Sequence, residues 1–226
     1  MDIEDIRRFG IELEPAYEAE PGFIEPFWEF MYRFQSLERH WNLNKGFINF
    51  HVLRLKNFRK RCEGEDELWF SETAEADIEF FPEYLRLSTI SFSLSLVENL
   101  LGELSEEIAA DLNVKIDLSK KQIPYINKYI LWLVRGCGIT IDIDKSLWKS
   151  LDAIRALRNQ FIHRIGRDIP EQIKKTISEM VDTPTIGGEI TDAFVDESFV
   201  KLSELVKTIE LAYISYIGNS LESKST

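Results

Sequence analysis

The chain has 226 residues, of which 44% are hydrophobic and 12% aromatic, and its net charge is −12. This composition is typical of a folded protein and too apolar for a disordered one. The negative charge argues against nonspecific binding to nucleic acid or to a membrane surface, because the field of the whole chain repels phosphate groups. Any site for an anion must therefore be local.

The sequence also predicts a compartment. The N-terminal stretch MDIEDIRRFG lacks the basic-then-apolar order of a signal peptide. The longest apolar run, YILWLV, is far shorter than the ~20 residues that cross a bilayer. Cys62 and Cys137 are the only cysteines, too few for a disulfide framework. We expect a cytoplasmic protein that makes no membrane contact.

Two helices are predicted in the N-terminal region, over residues 23–41 and 48–62. The second contains the basic run RLKNFRKR at 54–61, which is more simply the solvated face of a helix than a contact for RNA. The acidic and poorly patterned residues 63–79 follow. We therefore expect a helical extension over 1–80 and a helical bundle over 81–226.

Four main amphipathic helices are predicted between residues 83 and 220. The first carries apolar residues at alternating gaps of three and four: Leu87, Ile90, Leu94, Val97, Leu101, Leu104 and Ile108. The second repeats this spacing and ends at the sequence GCG: Ile123, Ile126, Ile130, Leu133 and Cys137. The third opens after Asp144, a suitable N-cap residue. The fourth has its own stripe: Leu202, Leu205, Ile209, Ala212 and Tyr216.

Between the third and fourth helices, the pattern predicts a short helix near 170–180 and then the irregular residues 182–198. The Gly-Gly pair in that stretch favours a hairpin. The predicted fold is all-α. It consists of a four-helix bundle with extra N-terminal helices and a small irregular or hairpin insertion near 181–197.

Several familiar sites are absent from the sequence. The run GCGITI resembles the start of a dinucleotide fingerprint, but Ile141 stands at the third glycine, which makes a helix-ending glycine the better interpretation. Histidine and cysteine show no paired spacing, so no dedicated zinc site and no cofactor are expected. The many carboxylates leave oxygen-ligand metal sites open.

The run RALRNQFIHR at 155–164 contains three arginines, one of three histidines and no carboxylate. On a regular helix Arg158 falls in the middle of the apolar stripe, where a guanidinium needs a partner. A structural ion pair with Glu98 or Glu103 is one explanation, and a cleft that awaits an anion is the other. Asn159 and His163 share a face about 120–160° from the core direction.

Residues 158–163, RNQFIH, resemble the signature of the HEPN family (higher eukaryotes and prokaryotes nucleotide-binding), namely arginine, a polar residue, three residues and histidine. The motif stands on the third of four predicted helices, as it does in that family, and the resemblance covers about residues 83–220. It implies a homodimer that cleaves RNA without a metal, as a bacterial toxin or antiviral effector. Arg158 and His163 would be the catalytic pair, and Asn159 the supporting polar residue.

The chemistry of these side chains agrees with that implication. RNA carries its own nucleophile, the 2′-hydroxyl, so cleavage needs a proton acceptor, a proton donor and stabilisation of the phosphorane charge. Histidine, with a pKa near ~6.5, can do either transfer at neutral pH. Arginine can hold the non-bridging oxygens. The longer stretch 155–167 also contains no acid, and its three further arginines would attract phosphate, an effect that dimerisation would double: Arg155, Arg164 and Arg167.

Two alternatives remain open. The first is a non-catalytic HEPN-like module that binds a nucleotide, RNA or a protein, with Arg158 in a structural ion pair. The second is a helical interaction protein that is unrelated to the family. In toxin pairs of the family, an antitoxin or regulatory protein is a further partner. Ile165 stands where members paired with a nucleotidyltransferase antitoxin often have tyrosine, so control by modifying that tyrosine is not supported.

Overall fold

The computed structural model describes residues 25–61, 64, 67, 70, 74–118, 124–164, 170–181 and 190–224. Within helices, the side chains of residues 160–164 and 219–224 lie outside this description. The described residues form six α-helices and no strand: α1 Glu25–Arg59, α2 Glu75–Leu112, α3 Tyr125–Gly136, α4 Lys145–Arg164, α5 Glu171–Met180 and α6 Asp192–Lys224. The predicted all-α class is confirmed.

Helix α2 organises the fold, because it contacts α1, α3, α4 and α6. Its predicted stripe faces the core, and every member is at most 6% exposed: Leu87, Ile90, Leu94, Val97, Leu101, Leu104 and Ile108. The helix ends at Leu112 and is capped by Asn113, which adopts the left-handed conformation (φ 52°) that asparagine tolerates well. Val114 N then donates to Ala109 O at 3.0 Å, which satisfies a carbonyl of the last turn.

Helix α1 is continuous through residues 42–47, where the sequence pattern predicts a break between two helices. Asn44 donates its side-chain amide to His40 O at 2.8 Å, within the helix. The Lys45 ammonium lies 3.1 Å from both oxygens of Asp196, which also accepts from Trp41 Nε1 at 2.6 Å. The prediction of two helices was wrong, because these contacts hold the polar stretch in the helical conformation.

The aromatic residues of α1 belong to the same core as the rest of the fold. Phe27, Phe34 and Trp41 are each no more than 1% exposed, and they join one buried cluster with residues of all the other helices. The Phe34 and Phe199 rings meet edge to face at 5.1 Å. The boundary predicted at residue 80/81 falls within α2, and the division into two domains stays a prediction.

The connection between α3 and α4 agrees with the sequence pattern. Helix α3 ends at Gly136, and Gly138 has φ +75°, a conformation that glycine adopts without a steric penalty. Residues 139–144, ITIDID, whose pattern predicts a short extended link, have no regular secondary structure. The short helix predicted near 170–180 is α5.

The predicted insertion near 181–197 needs a correction at its C-terminal end. Residues 182–189 lie outside the described residues, but residues 192–197 are the first turns of α6. The Thr191 hydroxyl accepts from Phe194 N at 3.2 Å and so caps that helix. Phe194 and Val195 are buried, which explains why these residues are helical.

Candidate functional site on helix α4

Helix α4 begins where the sequence predicts. The Asp144 carboxylate accepts from Ser146 N at 2.8 Å and from the Ser146 hydroxyl, the pattern of an N-cap. These hydrogen bonds, first among them the one from the Ser146 hydroxyl, lower the pKa of Asp144. The predicted cap is confirmed.

One face of α4 packs against the core and fixes the helix in rotation. Leu147, Leu151, Ile154 and Leu157 are at most 4% exposed, and the helix contacts α2, α5 and α6. Leu157, which is 1% exposed, belongs to this face as well, although the stripe predicted from the sequence did not include it: Leu147, Leu151, Ile154, Phe161 and Ile165. Arg158 shares this face, as the sequence pattern predicts, because on a regular helix its direction falls between those of Leu147 and Leu151.

Arg158 forms an ion pair across the contact between α4 and α2. Its Nη1 lies 3.0 Å from Glu98 Oε1, and the two side chains are 22% and 23% exposed. Of the two carboxylates that the sequence offered, Glu98 and Glu103, Glu98 is thus the partner. The Arg158 Nε is buried and has no hydrogen-bond partner. The pair holds the guanidinium in place but does not satisfy all of its donors.

The charge of Glu98 also acts on a phenol of α3. Burial raises the pKa of Tyr129 on α3, and the nearby Glu106, Tyr125 and Glu98 raise it further. The Tyr129 hydroxyl is therefore protonated and uncharged at neutral pH.

The other described members of the predicted site differ in their surroundings. Asn159 is exposed. Arg155 pairs with Asp152 one turn earlier, with 3.0 Å between Nη2 and Oδ1. Residues 155–167 contain no acid, and the sequence-based prediction did not include Asp152, which lies just before them. The spacing of three residues on one helix was the signal that would have shown this pair.

The remaining predicted residues lie outside what the structure describes in side-chain detail. Helix α4 continues through His163 and Arg164, so their backbone is helical, but their side chains are not described. Arg167 lies outside the described residues. The structure therefore brings Arg158 to Glu98 and Arg155 to Asp152, and the joint geometry of Arg158 with His163 stays a prediction.

Two general properties of the described residues bear on the class of site. None of the six helices combines the length and the apolar character needed to cross a membrane. In the same part of the chain, no three histidine, cysteine or acidic side chains lie together as ligands of a metal ion would.

Comparison with known proteins gives no further assignment: no family model, no curated protein and no solved structure matches the chain.

Proposed function

We propose that this chain is an HEPN-type endoribonuclease that cleaves RNA by attack of the 2′-hydroxyl and does not need a metal ion. The observation that carries the proposal is Arg158: the Glu98 carboxylate holds its guanidinium in place, yet the side chain keeps 22% of its surface accessible. Asn159 and His163 follow on the same uninterrupted helix. A fixed, partly open arginine suits the stabilisation of a charge that develops during reaction.

The roles follow from the chemistry of the side chains. His163 would accept the proton of the 2′-hydroxyl or donate one to the leaving 5′-oxygen. Arg158 would bind the non-bridging oxygens of the phosphorane through the part of its guanidinium that remains accessible. Because residues five apart on a helix point about 140° apart, one site needs Arg158 and His163 from different copies of α4. We therefore propose a two-fold dimer that brings two α4 helices together.

The ion pairs change how the protein would attract RNA. Arg155 and Arg158 are each paired with a carboxylate. The positive charges that residues 155–167 contribute are thereby reduced, unless phosphate displaces Asp152 or Glu98. Binding of RNA should accordingly be weak in one chain and stronger in a dimer, which doubles these charges.

A second candidate function is a non-catalytic HEPN-like module that binds a nucleotide, RNA or a protein. The Arg158–Glu98 pair favours it, because a carboxylate that already neutralises the arginine serves architecture without any substrate. In that case α4 would be a packing element, and its arginine would never contact a phosphate.

A cleavage assay distinguishes the two candidates. The purified chain is incubated with varied RNAs and with the matching DNA in the presence of EDTA, and the product ends are analysed. We expect RNA cleavage with 2′,3′-cyclic phosphate ends and no cleavage of DNA, which lacks the hydroxyl. His163→Ala should slow cleavage about 10²–10⁴-fold. The matched control is His40→Ala, because His40 is an exposed histidine on α1.

Three results would contradict the ribonuclease: no cleavage of any RNA, an unchanged rate in the His163 variant, or a strict need for a divalent metal. RNA binding without cleavage would support the second candidate. A physiological role as a toxin or antiviral effector is an analogy with the family, and expression of the active chain with RNA profiling of the host would test it.

A further inference from the structure

The helical pair α1–α2 extends past the core at one end. None of the residues 42–59 of α1 or 75–86 of α2 is buried, whereas α1 before residue 42 and α2 after residue 86 hold many of the core side chains. We call these two segments the arm; its α1 half is about 27 Å long at 1.5 Å per residue. Helix α6 starts near Arg86, which pairs with Asp192 at 2.6 Å, so it does not extend along the arm.

The arm exposes large apolar side chains. Six of them are between 39% and 56% exposed: Phe47, Phe50, Leu53, Phe80, Phe81 and Tyr84. The rings of Phe80 and Tyr84 stack on the α2 half with centroids 6.0 Å apart. His51 of the α1 half stacks on Phe81 at 6.1 Å, so the two halves are in direct contact. So many exposed apolar side chains on a two-helix element are unusual for a surface that remains in contact with water.

The two halves of the arm carry opposite charge. Arg54, Lys56 and Arg59 are exposed on α1, and Glu75, Glu79 and Glu83 are exposed on α2. One pair already joins the halves, since Arg59 Nη1 lies 3.1 Å from Glu75 Oε1. The Arg54 guanidinium lies 6.0 Å from the centroid of the Phe50 ring, which places a positive charge at the border of the apolar surface.

From this pattern we infer that the arm is a self-association surface that binds the arm of a second copy of this chain. A two-fold axis parallel to the arm places α1 of one copy over α2 of the other. The basic half of each arm then faces the acidic half of the other arm. The apolar side chains of both arms meet in the interface between the two copies. Two hairpins joined in this way form a four-helix bundle, in which the exposed apolar side chains of both arms become buried.

The charge pattern favours a second copy over RNA. Exposed aromatic rings and arginines do suit single-stranded RNA. The acidic half of the arm, however, would repel the phosphates that follow along the same surface. A surface with a positive and a negative edge is complementary to itself, and no such match exists with a uniformly negative polymer.

The mass of the protein in solution, without RNA, tests the inference. Light scattering at micromolar concentration should show a dimer or a multiple of it. The double variant Phe50→Glu/Phe81→Glu should halve that mass and keep the circular dichroism of the parent. The matched control is Val200→Glu/Leu211→Glu, which adds the same charges at side chains that are 55% and 60% exposed on α6. The control should leave the mass unchanged.

A charge exchange gives a second measurement that does not alter the apolar surface. Arg54→Glu/Lys56→Glu and Glu79→Lys/Glu83→Lys should each weaken self-association about tenfold. An equimolar mixture of the two variants should restore it, because every facing pair is then of opposite sign. His163→Ala should have no effect, so this result is independent of the ribonuclease activity.

The inference is overturned if the parent chain is a monomer at these concentrations. It is also overturned if the arm variants keep the full mass, or if the mixture of charge variants stays as weak as each alone. Loss of RNA binding in the arm variants, with an unchanged mass, would assign the surface to RNA instead.

Discussion

Glu98 lies 60 positions before Arg158 in the sequence, and the two side chains meet only because α2 and α4 pack together. Removing one partner of a largely buried pair leaves the other charge without compensation. We expect Arg158→Ala to lower the free energy of unfolding by about 2–3 kcal/mol, at the low end for such pairs because water still reaches both side chains.

A double-mutant cycle in urea checks this expectation. Arg158→Met and Glu98→Met should each destabilise the protein, and the double variant should lose less than the two losses added together. Strictly additive losses would mean that the pair contributes no coupling. The same variants separate roles, because loss of cleavage in Glu98→Met, measured under conditions in which the variant is fully folded, would make Glu98 a positioning residue for Arg158.

Tyr213 is another side chain whose environment has a measurable consequence. Burial, assisted by the carboxylates of Glu107 and Asp111, raises its pKa to about 12 from the ordinary 10.0. The folded chain therefore holds this proton more firmly than the unfolded chain. The stabilisation is fully present below pH 10 and is lost as the pH rises towards 12.

Replacing Tyr213 should remove part of this alkaline sensitivity. We expect Tyr213→Phe to reduce the fall of the melting temperature between about pH 10 and 12, since phenylalanine has no proton to lose. Tyr32→Phe, at a side chain that is 53% exposed, is the control and should leave the fall unchanged. An identical pH profile for Tyr213→Phe and the parent would contradict the expectation.

Among the helices, the start of α4 gives a test that depends on one carboxylate. Asp144→Ala removes the acceptor for Ser146 N and should lower the melting temperature at pH 7, whereas Asp144→Asn keeps an acceptor and should lower it less. Because hydrogen bonding lowers the pKa of Asp144, its contribution is present above the unfolded value of about 3.8 and is lost as the pH falls further. At pH 2 the parent should therefore resemble Asp144→Asn, and a difference between these two proteins that persists at pH 2 would be inconsistent with this account.

The elements that could be predicted are those with a local signal. The apolar spacing of α2, the cap at Asp144 and the glycine after α3 all act within a few residues, and each is confirmed. The continuity of α1 could not be predicted in this way. Lys45 and Trp41 are held by Asp196, about 150 positions away, and no pattern within α1 points to that partner.

In the candidate site, too, the features with a local signal could be predicted and the others could not. Periodicity placed Arg158 against the packed face of α4 and named Glu98 as one of two partners. The ion pair between Asp152 and Arg155 is local but was not predicted, because Asp152 lies just outside the stretch 155–167 on which the prediction was based. Whether Arg158 and His163 share one site depends on a contact between two chains, and no local pattern in one chain determines that contact.

The free energy of local opening should differ between the arm and the rest of the fold. The arm has no buried residue, and Pro82 removes one backbone donor from the third turn of α2. In hydrogen exchange on dilute protein, we expect amides of 42–59 and 75–86 to exchange much faster than those of 87–109. Protection of the arm should rise with protein concentration, while that of 87–109 stays constant. Equal protection of both regions at every concentration would contradict this prediction.

The packing of α1 against α6 has a consequence for synthesis. Trp41 and Asp196 are 155 positions apart, and the Phe34–Phe199 contact spans a similar distance. At about 5–20 residues per second, a ribosome needs roughly 8 to 30 s to add the residues that separate these partners. During that interval Phe27, Phe34 and Trp41 have no α6 to pack against, so the nascent chain is most vulnerable to aggregation long after its first helix has emerged.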